Sequence, residues 1–289
     1  MIANGVRIAR VRRTEQSVNP DLYNTGEYMY ISQRLSSVAA MVTPGLRVAD
    51  IGCDHAYLPI HLIQNSISPE VIAMDINKGP LERAAEHVEA AGLNESIELR
   101  LSDGLSGLLP GEAECIVMAG MGGPLMKGIM DAAPLVCEAA KELILQPQSE
   151  ITDVRLYLKD KGYHIVSEDL VYEEGKFYPM MKAVHGDKDV NSTESCTLYR
   201  QDVYEWLNAA GYESELTELR LEACYRYGGL LLKEKHPVLA DYLKYERNLL
   251  LEIRGKLLDS DRTDKVSERL DEITHEISIS DQAIRLLDH

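Results

Sequence analysis

Val48-Ala-Asp-Ile-Gly-Cys-Asp-His-Ala-Tyr-Leu-Pro-Ile-His-Leu62 is the stretch that decides the fold. Leu46, Val48, Ala49 and Ile51 read as a short apolar strand. Gly52 lets the backbone pass close to a ligand, and Tyr57 to Gln64 continues as a helix. A strand that ends in a glycine turn and resumes as a helix aims free backbone N–H groups at something polar.

Outward from this turn, three more apolar runs end in a chemically useful group. Val71-Ile72-Ala73-Met74 ends at Asp75, and Ile97 to Ser102 ends at Asp103-Gly104. Cys115-Ile116-Val117-Met118 ends at Ala119-Gly120-Met121-Gly122-Gly123. Between the second and third runs, Pro80 to Ala91 reads as a crossover helix with Leu81, Ala84, Ala85 and Val88 on one face. This βαβ alternation implies a parallel sheet covered by helices on both faces. Ligands of such sheets bind beyond the carboxyl ends of the strands, where all four groups fall.

Two ligand classes suit that layout. A nicotinamide enzyme would carry Gly-x-Gly-x-x-Gly in the first turn to cradle a pyrophosphate, but Cys53, Asp54, His55 and Ala56 follow Gly52 here. An acid at position 54 repels a pyrophosphate and suits the ammonium of S-adenosylmethionine (SAM). Asp75 is then placed for both ribose hydroxyls, and Asp103 for the adenine amino group. Each acid also has a plainer reading as a helix N-cap, and His55 as a turn residue bonded to backbone. Two acids at successive strand ends favour cofactor contacts.

The motifs Asp50-Ile51-Gly52 with Asp54-His55-Ala56-Tyr57-Leu58-Pro59, Asn77-Lys78-Gly79-Pro80, Asp103-Gly104-Leu105, Ala119 to Gly123, and Leu145-Gln146-Pro147 resemble one family. It is that of the bacterial tRNA adenine-N1 methyltransferases, the TrmK family, which modify the adenosine at tRNA position 22. The resemblance runs from about Ser32 to Gly186 and resumes from Tyr227-Gly228 through Leu232 to Pro237. Gln148 stands where Asn is expected, and Pro179-Met180 follow Tyr178 where an acidic residue is usual. Both departures fall on the substrate side of the pocket.

Strand ends and resemblance together give the expected cofactor set: Asp50, Gly52, Asp54, His55, Asp75, Ile76, Asp103, Gly104, Ala119, Gly120, Met121 and Gly122. Asp54 and His55 are also expected to line the methyl-transfer site, and Arg34 to meet a substrate phosphate or base. No metal site is expected. The fourth strand lacks the Asp/Asn-Pro-Pro-aromatic run usual for amine methylation, and nothing indicates a cysteine nucleophile. Ring N1 of adenine already has an in-plane lone pair, so positioning matters more than a strong base.

At 289 residues the chain exceeds one average domain. The expected organisation is an N-terminal extension over 1–27, a Rossmann-like SAM-dependent methyltransferase domain over 28–188, and a helical, coiled-coil domain over 189–289. The extension carries Arg7, Arg10, Arg12 and Arg13 without apolar periodicity, and Met29 is a candidate native start. Tyr163 to Val171 and Lys176 to Val184 alternate around Glu173-Glu174-Gly175 as a β-hairpin closing the sheet, with the boundary near 187–195. Two heptad seams follow: Leu239, Leu243, Glu246, Leu250, Ile253 and Leu257, then Val266, Leu270, Ile273, Ile277, Ser280, Ile284 and Leu287. The short link between them implies an antiparallel hairpin, although either seam could pair with a second chain. The methyltransferase domain is expected to bind SAM without these helices.

The formal net charge of −17 opposes an RNA substrate, because phosphate contacts dominate nucleic-acid affinity. Screening over roughly 8 Å makes the local patch decisive instead. Arg226 to Lys256 holds seven basic residues (Arg226, Lys233, Lys235, Lys244, Arg247, Arg254, Lys256) against four acidic ones. An ordinary solvated helix face would look the same. No apolar run approaches the roughly 20 residues that span a bilayer. Five cysteines, with no Cys-x-x-Cys pair, suit reduced thiols in a cytoplasm.

The expected protein is a cytoplasmic SAM-dependent methyltransferase acting on N1 of adenine in tRNA, a monomer rather than a dimer, with no membrane or metal partner. A small-molecule methyltransferase would share the SAM half without needing basic helices. A non-catalytic RNA-binding protein would have no use for the cofactor acids.

Overall fold

The computed structural model describes residues 31–186, 206–207 and 214–288. The expectations for residues 1–27, for Met29 and for a boundary at 187–195 lie outside the described residues.

Seven strands form one sheet in the order β3-β2-β1-β4-β5-β7-β6. They are β1 (Val48–Ile51), β2 (Val71–Asp75), β3 (Ile97–Leu101), β4 (Cys115–Met121), β5 (Glu142–Pro147), β6 (Tyr163–Glu173) and β7 (Lys176–His185). β1 to β5 pair in parallel, while β7 runs antiparallel to both neighbours. The chain winds outward from β1 in both directions, so a crevice opens between β1 and β4, where the strand order reverses.

β1 is buried at all four positions, as its apolar run requires. The turn after it takes three left-handed residues, Gly52 (φ 78), Asp54 (φ 49) and Ala56 (φ 60), and delivers the chain into α2 (Tyr57–Gln64). Pro59 sits in the first turn of α2, where its missing N–H leaves no helical bond unmade. α3 (Lys78–Ala90) is the crossover helix; it buries Ala84 and Val88, while Ala85 faces out.

β5 stands where the sequence reading places no strand. All six of its positions are buried, including Glu142 and Gln146. Glu142 accepts from the Thr43 backbone N–H at 2.8 Å and the Thr43 hydroxyl at 2.6 Å, and pairs with Lys182 at 3.1 Å. α1 (Gln33–Met41), α4 (Gly123–Ala132), α5 (Pro134–Ala139) and α6 (Ile151–Asp160) complete the layers around the sheet.

The β6–β7 hairpin leads to a helical layer of α7 (Ser214–Tyr227), α8 (Gly229–Lys233), α9 (Leu239–Leu258) and α10 (Asp264–Asp288). α9 and α10 form the expected hairpin, with Leu250, Ile273 and Ile277 buried between them. Toward its C-terminus α10 also buries Ile279, Ala283 and Leu286, off the strict seam, because there it meets Leu170, Tyr227 and Leu231 as well as α9.

Sheet and helices share a polar joint. Arg155 on α6 pairs with Glu168 on β6 at 2.8 Å and donates to the carbonyls of Tyr225 and Arg226. Glu168 also accepts the Leu230 N–H, and a Cβ at Gly228 (φ 99) would lie 2.8 Å from its carboxylate. Nearby, His236 bonds Asp169 at 3.0 Å, which together with backbone and Ser37 contacts holds that carboxyl below its usual range.

Candidate cofactor and substrate site

A cavity of about 400 Å³ opens where β1, β2 and β4 end. Its lining includes Arg34, Asp50, Gly52, Asp54, Asp75, Ala119 and Gly120 from the expected set. It also includes Leu35, Cys53, Tyr57, Leu58, Asn77, Pro80 and Gln148, which that set omits. His55, Ile76, Asp103, Gly104, Met121 and Gly122 stand outside this lining. Asp103 is exposed beyond β3, Ile76 is 58 % exposed beside Asp75, and the Met121 methyl closes on the Gly52 turn.

Three carboxylates against one guanidinium give the cavity an acidic character. Asp50 is buried, and burial first, then the nearby Asp75, pushes its carboxyl from 3.8 up to about 7, with Arg34 opposing. A buried acid lacking a full counter-charge fits a ligand that brings an ammonium. Asp75 Oδ1 accepts the Asn77 N–H at 2.8 Å in a local turn, which leaves Oδ2 for other partners. The Cys53 thiol is pushed well up by burial and by Asp50 and Asp75, which disfavours the thiolate a covalent route would need.

The left-handed turn carries Asp54 and His55 and is held from a distance. His87, on α3, donates Nδ1–H to the His55 carbonyl at 2.9 Å. The rings of His55, Tyr57 and His87 lie 5.3–5.8 Å apart in a triangle. His55 Nε2 is 3.4 Å from Asp54 Oδ1, and its buried Nδ1 has no hydrogen-bond partner among the described residues.

On the opposite wall, α1 starts at its N-cap Ser32, and Glu173 accepts the N–H groups of Gln33 and Arg34 at 2.7 and 3.1 Å. Arg34 Nη1 donates to Gln146 Oε1 at 2.9 Å, and the guanidinium lies 5.6 Å over the Tyr178 ring. Gln146 Oε1 takes a second bond from the Gly120 N–H at 3.1 Å, at the bulge that ends β4. Gln146, on the unforeseen β5, is thus the functional neighbour that sequence reading missed; its place in Leu145-Gln146-Pro147 was the available signal.

The sheet order and the acidic cavity at its switch point define a Rossmann-type methyltransferase. A family model described as a methyltransferase domain matches residues 31–181. The tRNA (adenine(22)-N(1))-methyltransferase of Bacillus subtilis is 39 % identical over 159 residues, covering 55 % of this chain and 67 % of that protein. The crystal structure of the B. subtilis m1A22 tRNA methyltransferase TrmK superposes with a TM-score of 0.73 at 30 % identity, covering 88 % of this chain and 99 % of that one. A Streptococcus pneumoniae structure in complex with SAM gives 0.69 at 28 % identity, with 88 % and 99 % covered. The chain belongs to the tRNA (adenine(22)-N(1))-methyltransferase family, as its motifs imply.

Of the basic window on the helices, Arg226 is engaged by Glu246 and Glu276, and Arg247 by Asp281. Lys235, Lys244, Arg254 and Lys256 have no ion pair among the described residues. Among those residues no group of three His, Cys, Asp or Glu could hold a metal ion, and no helix is long and apolar enough to cross a membrane.

Proposed function

We propose that this protein transfers the methyl group of SAM to N1 of the adenosine at position 22 of tRNA. The acidic cavity at the β1–β4 switch point, in a chain of this family, carries the reading. SAM, when bound, supplies an electrophilic methyl group on a sulfonium. Asp50, which is buried where Asp54 is exposed, replaces Asp54 as the candidate partner for its ammonium, and Asp75 remains the candidate for its ribose hydroxyls. Ile76 and Asp103-Gly104 are candidates for the adenine end. Gly52, Ala119, Gly120, Met121 and Gly122 supply the close-packed turns that keep the floor open.

The chain's part in catalysis is positioning. Neutral adenine needs no deprotonation at N1, so holding it within roughly 3–3.5 Å of the methyl group accounts for most of what is required. The product ring is cationic, and Asp54, which lines the cavity and has His55 next to it in the turn, is the candidate to stabilise it. Arg34, held by Gln146 and Tyr178, is the candidate contact to the base or its phosphate. Paired adenine hides N1, so the nucleotide must be unpaired before it enters.

The cations of α9 and the preceding loop that have no ion pair among the described residues, Lys235, Lys244, Arg254 and Lys256, are the candidate phosphate contacts. Because α9 and α10 cover each other's seam, a monomer is the proposed state. Incubation with labelled SAM and an unmodified tRNA transcript, followed by nucleoside analysis, tests the activity. Label in 1-methyladenosine is expected; label in another nucleoside, or in none, contradicts it.

A further inference from the structure

Phe177 packs against three tyrosines: Tyr172 at 4.6 Å across the hairpin, and Tyr242 and Tyr245 of α9 at 5.0 and 5.6 Å. Tyr172 and Phe177 are directly opposed in the β6–β7 register, so their rings share one face. Phe177 and Tyr242 are partly buried. Tyr172, Tyr245 and Leu249, one turn beyond Tyr245, remain 50 %, 56 % and 46 % exposed. The helical core closes beneath them on Leu170, Leu239 and Leu243 without needing the outer rings. Large apolar groups gathered on a surface mark a contact site.

The position of these rings says what they contact. Leu145 pairs with Met181 and β5 ends two residues later, whereas the hairpin continues to its turn at Glu174-Gly175. At roughly 3.3 Å per residue the ribbon rises about 13 Å above the rim where the cavity opens. Its other face carries Tyr178 under Arg34, and Glu173 on the start of α1. One ribbon therefore bears a cavity wall on one side and the ring cluster on the other. The charged residues next to these rings in the sequence are of both signs, Lys176 and Lys244 with Glu174 and Asp241, all exposed. The feature offered is a π surface rather than a phosphate trap.

We propose that Tyr172, Phe177 and Tyr245 form a stacking platform for unpaired nucleotides of the RNA substrate. The inference rests on the tRNA reading above and adds residues that it does not assign. Extracting a base to expose N1 leaves its neighbours without stacking partners, and aromatic side chains replace those partners with little regard to sequence.

The test uses the full chain with two double variants. Tyr172→Leu with Tyr245→Leu removes the rings and keeps apolar bulk, while Tyr172→Phe with Tyr245→Phe keeps the rings. The probes are an unmodified tRNA transcript, a short oligoadenylate and SAM. The leucine pair is expected to lose roughly tenfold or more in affinity for both RNAs. It should keep SAM affinity, and the phenylalanine pair should match the native chain. Should the leucine pair fold poorly, the single leucine variants give the same readout in smaller steps. Native RNA affinity in the leucine variants overturns the proposal. So does equal weakness of the phenylalanine pair, or a native dimer in sedimentation that only the leucine pair loses, which would make a second copy the occupant. Oligoadenylate binding reports on the platform even if the tRNA transcript is not methylated, so the two readings fail separately.

Discussion

Arg155 Nε lies 2.8 Å from Glu168 Oε1 with both side chains withdrawn from solvent, and this pair ties the sheet to the helices. The expectation that the methyltransferase domain stands without its helices meets a physical obstacle here. Cutting the chain at residue 226 removes the Arg226 carbonyl that Arg155 donates to and the Leu230 N–H that Glu168 accepts. It would also expose the apolar face around Leu170.

Glu168→Ala should accordingly destabilise the protein by about 3–5 kcal/mol, because it strands a buried guanidinium. Denaturant unfolding reads the effect. A double change of Arg155→Met with Glu168→Leu should cost less than the single change. A loss under about 1 kcal/mol for Glu168→Ala would mean that the joint is not structural.

SAM affinity should depend on pH through Asp50. Its carboxyl titrates at about 7, raised first by burial. A cationic ligand favours the ionised form, so affinity should rise with pH up to about 7, by at most about tenfold per unit, and level off above. The free protein behaves in the opposite sense. A carboxyl raised above its unfolded value of 3.8 stabilises the fold fully below that value, and the contribution is lost as pH rises through about 7. Calorimetric titration from pH 5.5 to 8.5 checks the binding trend, and Asp50→Asn should flatten it. An equal slope in that variant would assign the titration to another group.

Gln146→Leu removes the acceptor shared by Arg34 Nη1 and the Gly120 N–H. Bonds to a charged donor are worth about 1.5–3 kcal/mol, so methyl transfer to tRNA should fall roughly ten- to a hundredfold, with SAM affinity nearly unchanged. Steady-state rates at saturating SAM, set beside SAM calorimetry, separate the two effects. Equal losses in both would place Gln146 in the cofactor site.

Much of this architecture is legible in the sequence. The β1 turn, the crossover helix, the hairpin and both long helices fall within a few residues of where periodicity puts them. β5 is not legible, because Glu142 and Gln146 interrupt its apolar run. Their partners Thr43, Lys182, Arg34 and Gly120 come from distant parts of the chain. His87 escapes for the same reason, reaching the His55 carbonyl across 32 positions. The basic window misleads in part, since Arg226 and Arg247 are engaged by acids on α9 and α10 that only the fold brings near.

That distinction divides six of the seven cations experimentally. Replacing Lys235, Lys244, Arg254 and Lys256 with Ala should weaken tRNA binding and lower its salt slope by at most about one per lost phosphate contact. Replacing Arg226 or Arg247 should act on stability instead. Binding isotherms at several salt concentrations decide, and an unchanged slope in the quadruple variant would move the RNA contacts elsewhere.

Two tRNA transcripts that differ only at position 22, one with adenosine and one with guanosine, decide whether this protein methylates that adenosine. The protein and labelled SAM should place one methyl group on the first, recovered as 1-methyladenosine and mapped to position 22, and none on the second. Equal labelling of both transcripts, or label mapped to another position, would give the protein a different target.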